Sequence, residues 1–113
     1  MFDPVAFHRL ATQLVTRNPS EAASRTAASR AYYASFLTAR EHTRQDAIRG
    51  PEVHHRVVVE LHRMKRGDLA TRLQALRAVR NEADYETTQT FTAGRARNAV
   101  HMAGLILTGF ERV

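Results

Sequence analysis

Apolar residues recur along this chain at helical spacing, and short polar segments separate the repeats. Asp3 supplies an N-cap acceptor directly before Pro4, a favoured residue for the first position of a helix. Apolar residues then follow at nearly helical spacing as far as Leu14. The pattern predicts a first helix that ends near Arg17.

The next stretch predicts a long second helix. Asn18-Pro19 repeats the arrangement of an N-cap residue before a proline, and Glu21 lies three residues after Asn18, as in a capping box. No helix breaker follows before Gly50. This predicts a helix of about 25 residues. It carries a stripe of small residues, Ala23, Ala27, Ala31 and Ala34. Because small residues let a neighbouring helix approach closely, we expect this to be the central helix of a bundle.

Two further helices are predicted after Gly50-Pro51. The first begins near Val53 and closes at Lys65-Arg66-Gly67. The run Val57-Val58-Val59 favours a strand locally, but it is too short and too isolated to build a sheet, so we predict helix. The second has Asp68 as its N-cap, holds a steady helical apolar period and ends near residue 84.

The polar segment Thr87-Thr88-Gln89-Thr90 separates these helices from a last one. Apolar positions from Ala96 to Phe110 define this fifth helix. Residues 1–113 are therefore expected to form a single all-α, up-and-down bundle of four to five helices.

Composition agrees with one globular core and a basic surface. The apolar share of 43% is sufficient for a core, and 17 Lys and Arg against 11 Asp and Glu give a net charge of +6. Lys65 is the only lysine. The forked guanidinium of arginine forms paired hydrogen bonds with phosphate and carboxylate, so this bias favours binding to nucleic acid or to an acidic partner. A GC-rich genome also replaces lysine with arginine.

The chain has no cysteine, which excludes disulfides and thiolate metal sites. The opening residues Met1-Phe2-Asp3-Pro4 lack the regions of a signal peptide, and no apolar run approaches the length of a membrane span. We expect a cytoplasmic protein with no membrane association and no cofactor.

Arg80 follows Leu73 and Leu76 at helical spacing, so its side chain is predicted to project close to the apolar stripe. A buried charge is costly unless it is paired, and Asp84 at i+4 is the nearest partner. Two interpretations stay open. The guanidinium either points inward and is satisfied by Asp84 and helix-end carbonyls, or lies at a cleft or dimer seam and binds phosphate.

Two segments of the chain carry a family resemblance. Ala28-Ser29-Arg30-Ala31-Tyr32-Tyr33-Ala34-Ser35-Phe36 and Leu76-Arg77-Ala78-Val79-Arg80-Asn81-Glu82-Ala83-Asp84-Tyr85 together resemble small prokaryotic proteins of the HEPN superfamily. The resemblance implies a HEPN-like bundle, commonly a homodimer. It also implies a toxin-like role on RNA or nucleotide in a toxin–antitoxin or defence pair, often beside a minimal nucleotidyltransferase.

Active members of that superfamily are metal-independent ribonucleases that use an Arg and a nearby His. The resemblance assigns the catalytic positions to Arg80 and Tyr85, with Tyr85 standing where the His is expected. A phenol does not readily act as a base, but it could bind phosphate, stack on a base or accept a nucleotidyl group. The predicted RNA-binding or nucleotide-binding residues are Arg80, Asn81, Asp84, Arg77 and Tyr33.

The missing histidine leaves alternatives open. The chain could be a catalytically silent module that binds a nucleotidyltransferase or another protein. A histidine of the third helix, His54, His55 or His62, could instead complete an acid–base pair with Arg80, or these residues could be solvated at the bundle edge. They lack the spacing of a helical zinc site, so no metal is expected. Of Tyr32 and Tyr33, one is expected in the core and the other at an interface.

Overall fold

The computed structural model describes residues 1–112, which form five α-helices and contain no strand. The helices are α1 (Val5–Leu14), α2 (Glu21–His42), α3 (Val53–Arg63), α4 (Gly67–Tyr85) and α5 (Ala93–Gly109). The prediction of an all-α bundle is confirmed, including the helical state of the triple-valine run. Within the described residues, no helix is both long and apolar enough to cross a membrane.

The ends of the first two helices differ from the predictions. Ser20, and not Asn18, caps α2, since its hydroxyl accepts a hydrogen bond from the Ala23 amide at 3.0 Å. α1 ends at Leu14 and not near residue 17, where Arg17 adopts a left-handed backbone with φ of 61°. The helix has thus already ended before the chain reaches Arg17, and the apolar spacing alone did not reveal this.

α2 has 22 residues, close to the predicted length of about 25, and ends at His42. The backbone turns at Arg44, whose φ is 60°, directly after the C-cap residue Thr43. Arg40 then holds the following segment, donating hydrogen bonds to the carbonyl oxygens of Asp46 at 2.6 Å and of Ile48 at 3.0 Å. These bonds satisfy carbonyl oxygens in the segment that follows the helix.

α4 begins at Gly67, one residue before the predicted N-cap. Arg66 is the N-cap residue and makes no side-chain capping bond, while Asp68 lies in the first turn of the helix. The Asp68 carboxylate pairs with the Arg66 guanidinium at 3.2 Å. An acidic residue in the first turn still stabilises the helix through the helix dipole. The prediction of Asp68 as the N-cap was nevertheless wrong.

α2 is the central element and contacts each of the other four helices. Three alanines of its small-residue stripe, Ala27, Ala31 and Ala34, are completely buried. The main core cluster includes residues of all five helices. The short connection after Arg63 turns α4 back along α3, and α4 also packs on α2. The start of α3 therefore meets the second half of α4 beside the middle of α2.

Candidate functional site

Arg80 points inward from α4, as its spacing predicted, and only 12% of its side chain is exposed. Its Nη1 lies 3.6 Å from Oδ2 of Asp84, so the expected pair is present. Its Cζ lies 4.9 Å from the ring centroid of Tyr32 and 5.4 Å from that of Tyr33. Two aromatic rings, rather than helix-end carbonyls, thus cover the guanidinium, and cation–π attraction stabilises it there.

Tyr32 and His54 form a buried hydrogen-bonded pair next to this guanidinium. They are 2% and 6% exposed, and the Tyr32 hydroxyl oxygen lies 2.8 Å from His54 Nδ1. The Phe36 ring stacks on both, with centroid distances of 5.6 Å to Tyr32 and 5.9 Å to His54. The pair joins α2 to α3 and fixes the orientation of the imidazole.

The surroundings determine the charge of both rings. Burial, with a further contribution from Arg77 and Arg80, lowers the pKa of His54 to about 4. Burial also raises the pKa of Tyr32 to about 12, against the opposing effect of the two arginines. At neutral pH the site therefore holds an uncharged imidazole and an uncharged phenol beside two cations.

A cleft of about 310 Å³ lies between α3 and α4 on the solvent side of this cluster. Its walls are formed by His54, His55, Val58, Gln74, Arg77, Ala78 and Asn81. His55 and Asn81 are exposed at its edge, whereas His54 forms part of its floor. The cleft thus combines polar side chains with one guanidinium and a second close behind it.

Both arginines retain unused hydrogen-bond donors. The Nε atoms of Arg77 and Arg80 are buried, and neither has a hydrogen-bond partner within residues 1–112. Leaving a buried donor unsatisfied costs about 1–3 kcal/mol, more for a charged group. Arg77 lines the cleft and Arg80 does not, so an anion entering the cleft would meet the Arg77 guanidinium directly and would be attracted by the Arg80 charge three residues further along α4.

Tyr33 and Asp84 border the Arg80 guanidinium on its far side. The Tyr33 ring contacts a second cation, with Arg30 Cζ 4.8 Å from its centroid. Oδ2 of Asp84 accepts a hydrogen bond from the Ser29 hydroxyl at 3.3 Å. Since two guanidiniums already contact the Tyr33 ring, a base would have to displace one of them to stack there.

Tyr85 lies apart from the cluster. It is the last residue of α4, its exposed fraction is 72%, and it borders a shallow depression lined by Asn81, Glu82 and Glu86. Two carboxylates beside the phenol disfavour a phosphate at that point. Of the predicted residues, Tyr33 and Asp84 lie against Arg80. Arg77 and Asn81 line the cleft, and Tyr85 is left on the surface.

The Tyr32–His54 pair was not predicted. The signal for His54 was its position three and seven residues before Val57 and Leu61, which puts all three on the buried face of α3. His62 is exposed and lies near Gly67, away from the cleft. Which histidine of α3 is buried against Tyr32 was therefore decided by how the helices pack.

The described residues contain no group of three His, Cys, Asp or Glu side chains that could hold a metal ion. No family model, curated protein or solved structure matches this chain. The chemical character of the site therefore rests on its own groups, which are two guanidiniums with unused donors, a buried neutral imidazole and a cleft.

Proposed function

We propose that this chain is a HEPN-type protein that binds RNA in the cleft between α3 and α4. It would be the toxin-like member of a prokaryotic toxin–antitoxin or defence pair, acting as a homodimer. The observation that carries RNA binding is that Arg77 lines the cleft while the buried Nε donors of Arg77 and Arg80 have no partner. An unesterified oxygen of a phosphodiester in the cleft is a suitable acceptor for the Arg77 guanidinium, and the nearby charge of Arg80 would add electrostatic attraction. The two sequence segments that resemble HEPN proteins support the family assignment.

The size and composition of the cleft favour a single strand. Its volume of about 310 Å³ is at the lower end of ligand pockets, which suits one nucleotide unit rather than a duplex. Asn81 and Gln74 line it and can hydrogen-bond a base edge or a ribose hydroxyl. Arg77 would hold the phosphate, with Arg80 stabilising the charge from behind.

Any cleavage would be independent of metal and would need a proton acceptor near the ribose. The imidazoles of His54 and His55 border the cleft, so a composite arrangement of Arg80 with an α3 histidine is the version of the ribonuclease that the geometry supports best. Tyr85 would then have another role. Its exposed side chain is open to a partner protein, including a minimal nucleotidyltransferase that would transfer a nucleotidyl group from a nucleoside triphosphate to the phenol oxygen, with release of pyrophosphate and the phenol proton.

The binding proposal is tested with a labelled single-stranded oligonucleotide in EDTA at low salt. Arg77→Gln and Arg80→Gln should each weaken binding by about tenfold or more, because each removes a charged hydrogen-bond donor. Arg72→Gln is the matched control, since Arg72 is exposed on the same helix. Equal losses in all three variants would indicate unspecific charge attraction and would contradict the proposed cleft.

A second candidate is a catalytically silent HEPN module that binds a nucleotidyltransferase or another protein. The observation in its favour is that Arg80 is already stabilised by Asp84 and by the rings of Tyr32 and Tyr33. Incubation with tRNA and total RNA in EDTA separates the candidates. Cleavage that Arg80→Gln abolishes and Tyr85→Phe retains would exclude the silent module, while absence of cleavage and of oligonucleotide binding would favour it.

A further inference from the structure

His54 is a buried imidazole placed between a hydroxyl group and the cleft. It is 6% exposed, and its Nδ1 lies 2.8 Å from the Tyr32 hydroxyl oxygen. The same residue lines the cleft beside Arg77. Because Tyr32 engages Nδ1, the other ring nitrogen, Nε2, is the one left for a ligand.

We propose that a phosphodiester anion entering the cleft draws a proton from solvent onto His54, which thereby becomes a third cationic binding group beside Arg77 and Arg80. The inference rests on the proposed function, because it needs an anion in the same cleft. It goes further in assigning His54 a role in binding and in making that binding dependent on proton uptake.

The charged and titratable groups around His54 explain why it is neutral in the free protein. Arg77 and Arg80 face it from α4, His55 adjoins it on α3, and Tyr32 faces it from α2 as an uncharged phenol. Burial and the two guanidiniums keep the pKa of the imidazole at about 4. An anion in the cleft raises the pKa of the imidazole, since its charge offsets that of both guanidiniums and attracts the imidazolium directly.

The hydrogen-bonding groups are already arranged for the protonated form. Both nitrogens of an imidazolium are donors, so Nδ1–H would donate to the Tyr32 hydroxyl oxygen and Nε2–H to the phosphate. The Tyr32 hydroxyl keeps its own proton because burial raises its pKa to about 12. The added proton therefore comes from solvent and not from the tyrosine.

The expected effect is large enough to measure. A unit negative charge about 4 Å from the imidazolium, at an effective dielectric constant of about 20, raises its pKa by about three units. Such a rise makes His54 mostly protonated at about pH 6 in the complex, whereas the free protein keeps it mostly neutral there. Binding should consequently be about tenfold tighter at pH 6 than at pH 8.

Calorimetry of the full chain tests this with an oligonucleotide of 2′-fluoro-uridine that has no terminal phosphate. The fluorine prevents cleavage, and the absence of a terminal monoester removes a ligand group that itself titrates near pH 6. Heats measured in two buffers of different ionisation enthalpy give the number of protons taken up. We expect more than about half a proton per bound oligonucleotide at pH 6 and less than about a fifth at pH 8.

His54→Gln and His55→Gln form the matched pair of variants. Glutamine at 54 can keep a hydrogen bond to Tyr32 but does not titrate, so the proton uptake and the pH dependence of affinity should disappear. His55→Gln tests the neighbouring imidazole of the cleft as the titrating group, and His62→Gln, exposed on the same helix away from the cleft, is the control that should retain both. If His54→Gln does not fold, ring-nitrogen NMR of wild-type His54 with and without the oligonucleotide at pH 6 gives the protonation state directly.

The outcomes separate this inference from the proposed function. Binding without proton uptake, or uptake that is lost only in His55→Gln, would overturn the role of His54 and leave RNA binding in the cleft standing. Absence of binding at both pH values would overturn the two together. Uptake lost only in His54→Gln would establish the imidazolium as part of the binding site.

Discussion

The two halves of α4 present one inward face with opposite chemistry. In the first half Leu69, Leu73 and Leu76 are completely buried in the core. In the second half Arg80 occupies the same helical face and lies against Tyr32. The helical period therefore fixes which way a side chain points, while the neighbouring helix decides whether a charge is tolerated there.

This contrast separates stability from binding along a single helix. The leucines contribute through apolar area removed from water, which is the dominant favourable contribution to folding. Arg77 and Arg80 instead retain buried Nε donors without partners in the described part of the chain, an arrangement that costs folding free energy. We therefore expect substitutions in the first half to change the free energy of unfolding and those in the second half to change ligand binding.

The largest effect is expected for Leu73→Ala in the apolar half. Its side chain is completely buried, so the truncation should lower the free energy of unfolding by about 2–5 kcal/mol. Urea denaturation measures this, and Arg72→Ala on the exposed face should change it by less than about 0.5 kcal/mol. Well below the unfolding midpoint, oligonucleotide affinity should stay unchanged. A loss of affinity in the folded variant would contradict the expectation that the first half of α4 affects stability and the second half affects binding.

The next effect is a loss of stability in acid that originates at His54 of α3, which lies beside the polar half of α4. Burial and the arginines lower the pKa of His54 to about 4 in the folded protein, whereas in the unfolded chain it keeps the ordinary histidine pKa of about 6.5. Below that pH the unfolded state therefore binds a proton more readily than the folded state. The contribution of neutral His54 to the free energy of unfolding is therefore complete above about pH 6.5 and is lost as the pH falls toward 4. Between about pH 7.5 and pH 5 the loss should reach at most about 2 kcal/mol. Urea denaturation of His54→Gln at the same two pH values should show a clearly smaller loss.

Arg80→Met should have a smaller effect on stability and a clear effect on binding. Methionine has a similar length and removes a buried charge, so the free energy of unfolding should stay unchanged or rise by up to about 1 kcal/mol. Oligonucleotide binding should fall by about tenfold. Thermal unfolding and a binding titration measure the two quantities. A loss of stability well beyond 1 kcal/mol would instead assign Arg80 a structural role like that of the leucines.

The smallest effect is expected for Asp84→Asn. The ion pair with Arg80 spans 3.6 Å and Asp84 is 27% exposed, so its loss should cost less than about 1 kcal/mol. Removing a negative charge next to Arg80 should also tighten oligonucleotide binding slightly, by up to about threefold. Glu86→Gln, which removes a carboxylate beyond the end of α4, is the control. Weaker binding in Asp84→Asn would indicate that the pair orients Arg80 for the ligand.

Much of the fold and part of the site could be predicted because they depend on residues close together in sequence. Helical spacing and cap residues indicated five helices, and i,i+4 spacing indicated both the inward direction of Arg80 and its pairing with Asp84. The predicted end of α1 and the predicted cap of α2 were wrong, because α1 already ends at Leu14 and Ser20 caps α2. The HEPN resemblance and the catalytic role of Tyr85 stay predictions.

Local spacing and composition are sufficient to specify the helices, the basic charge and the side of α4 on which Arg80 lies. Long-range packing brings Tyr32 to His54, opens the cleft between α3 and α4, and leaves Tyr85 on the surface. These features join residues far apart in the chain. Their formation depends on which helix faces cover one another, and burial then sets the charge of the imidazole.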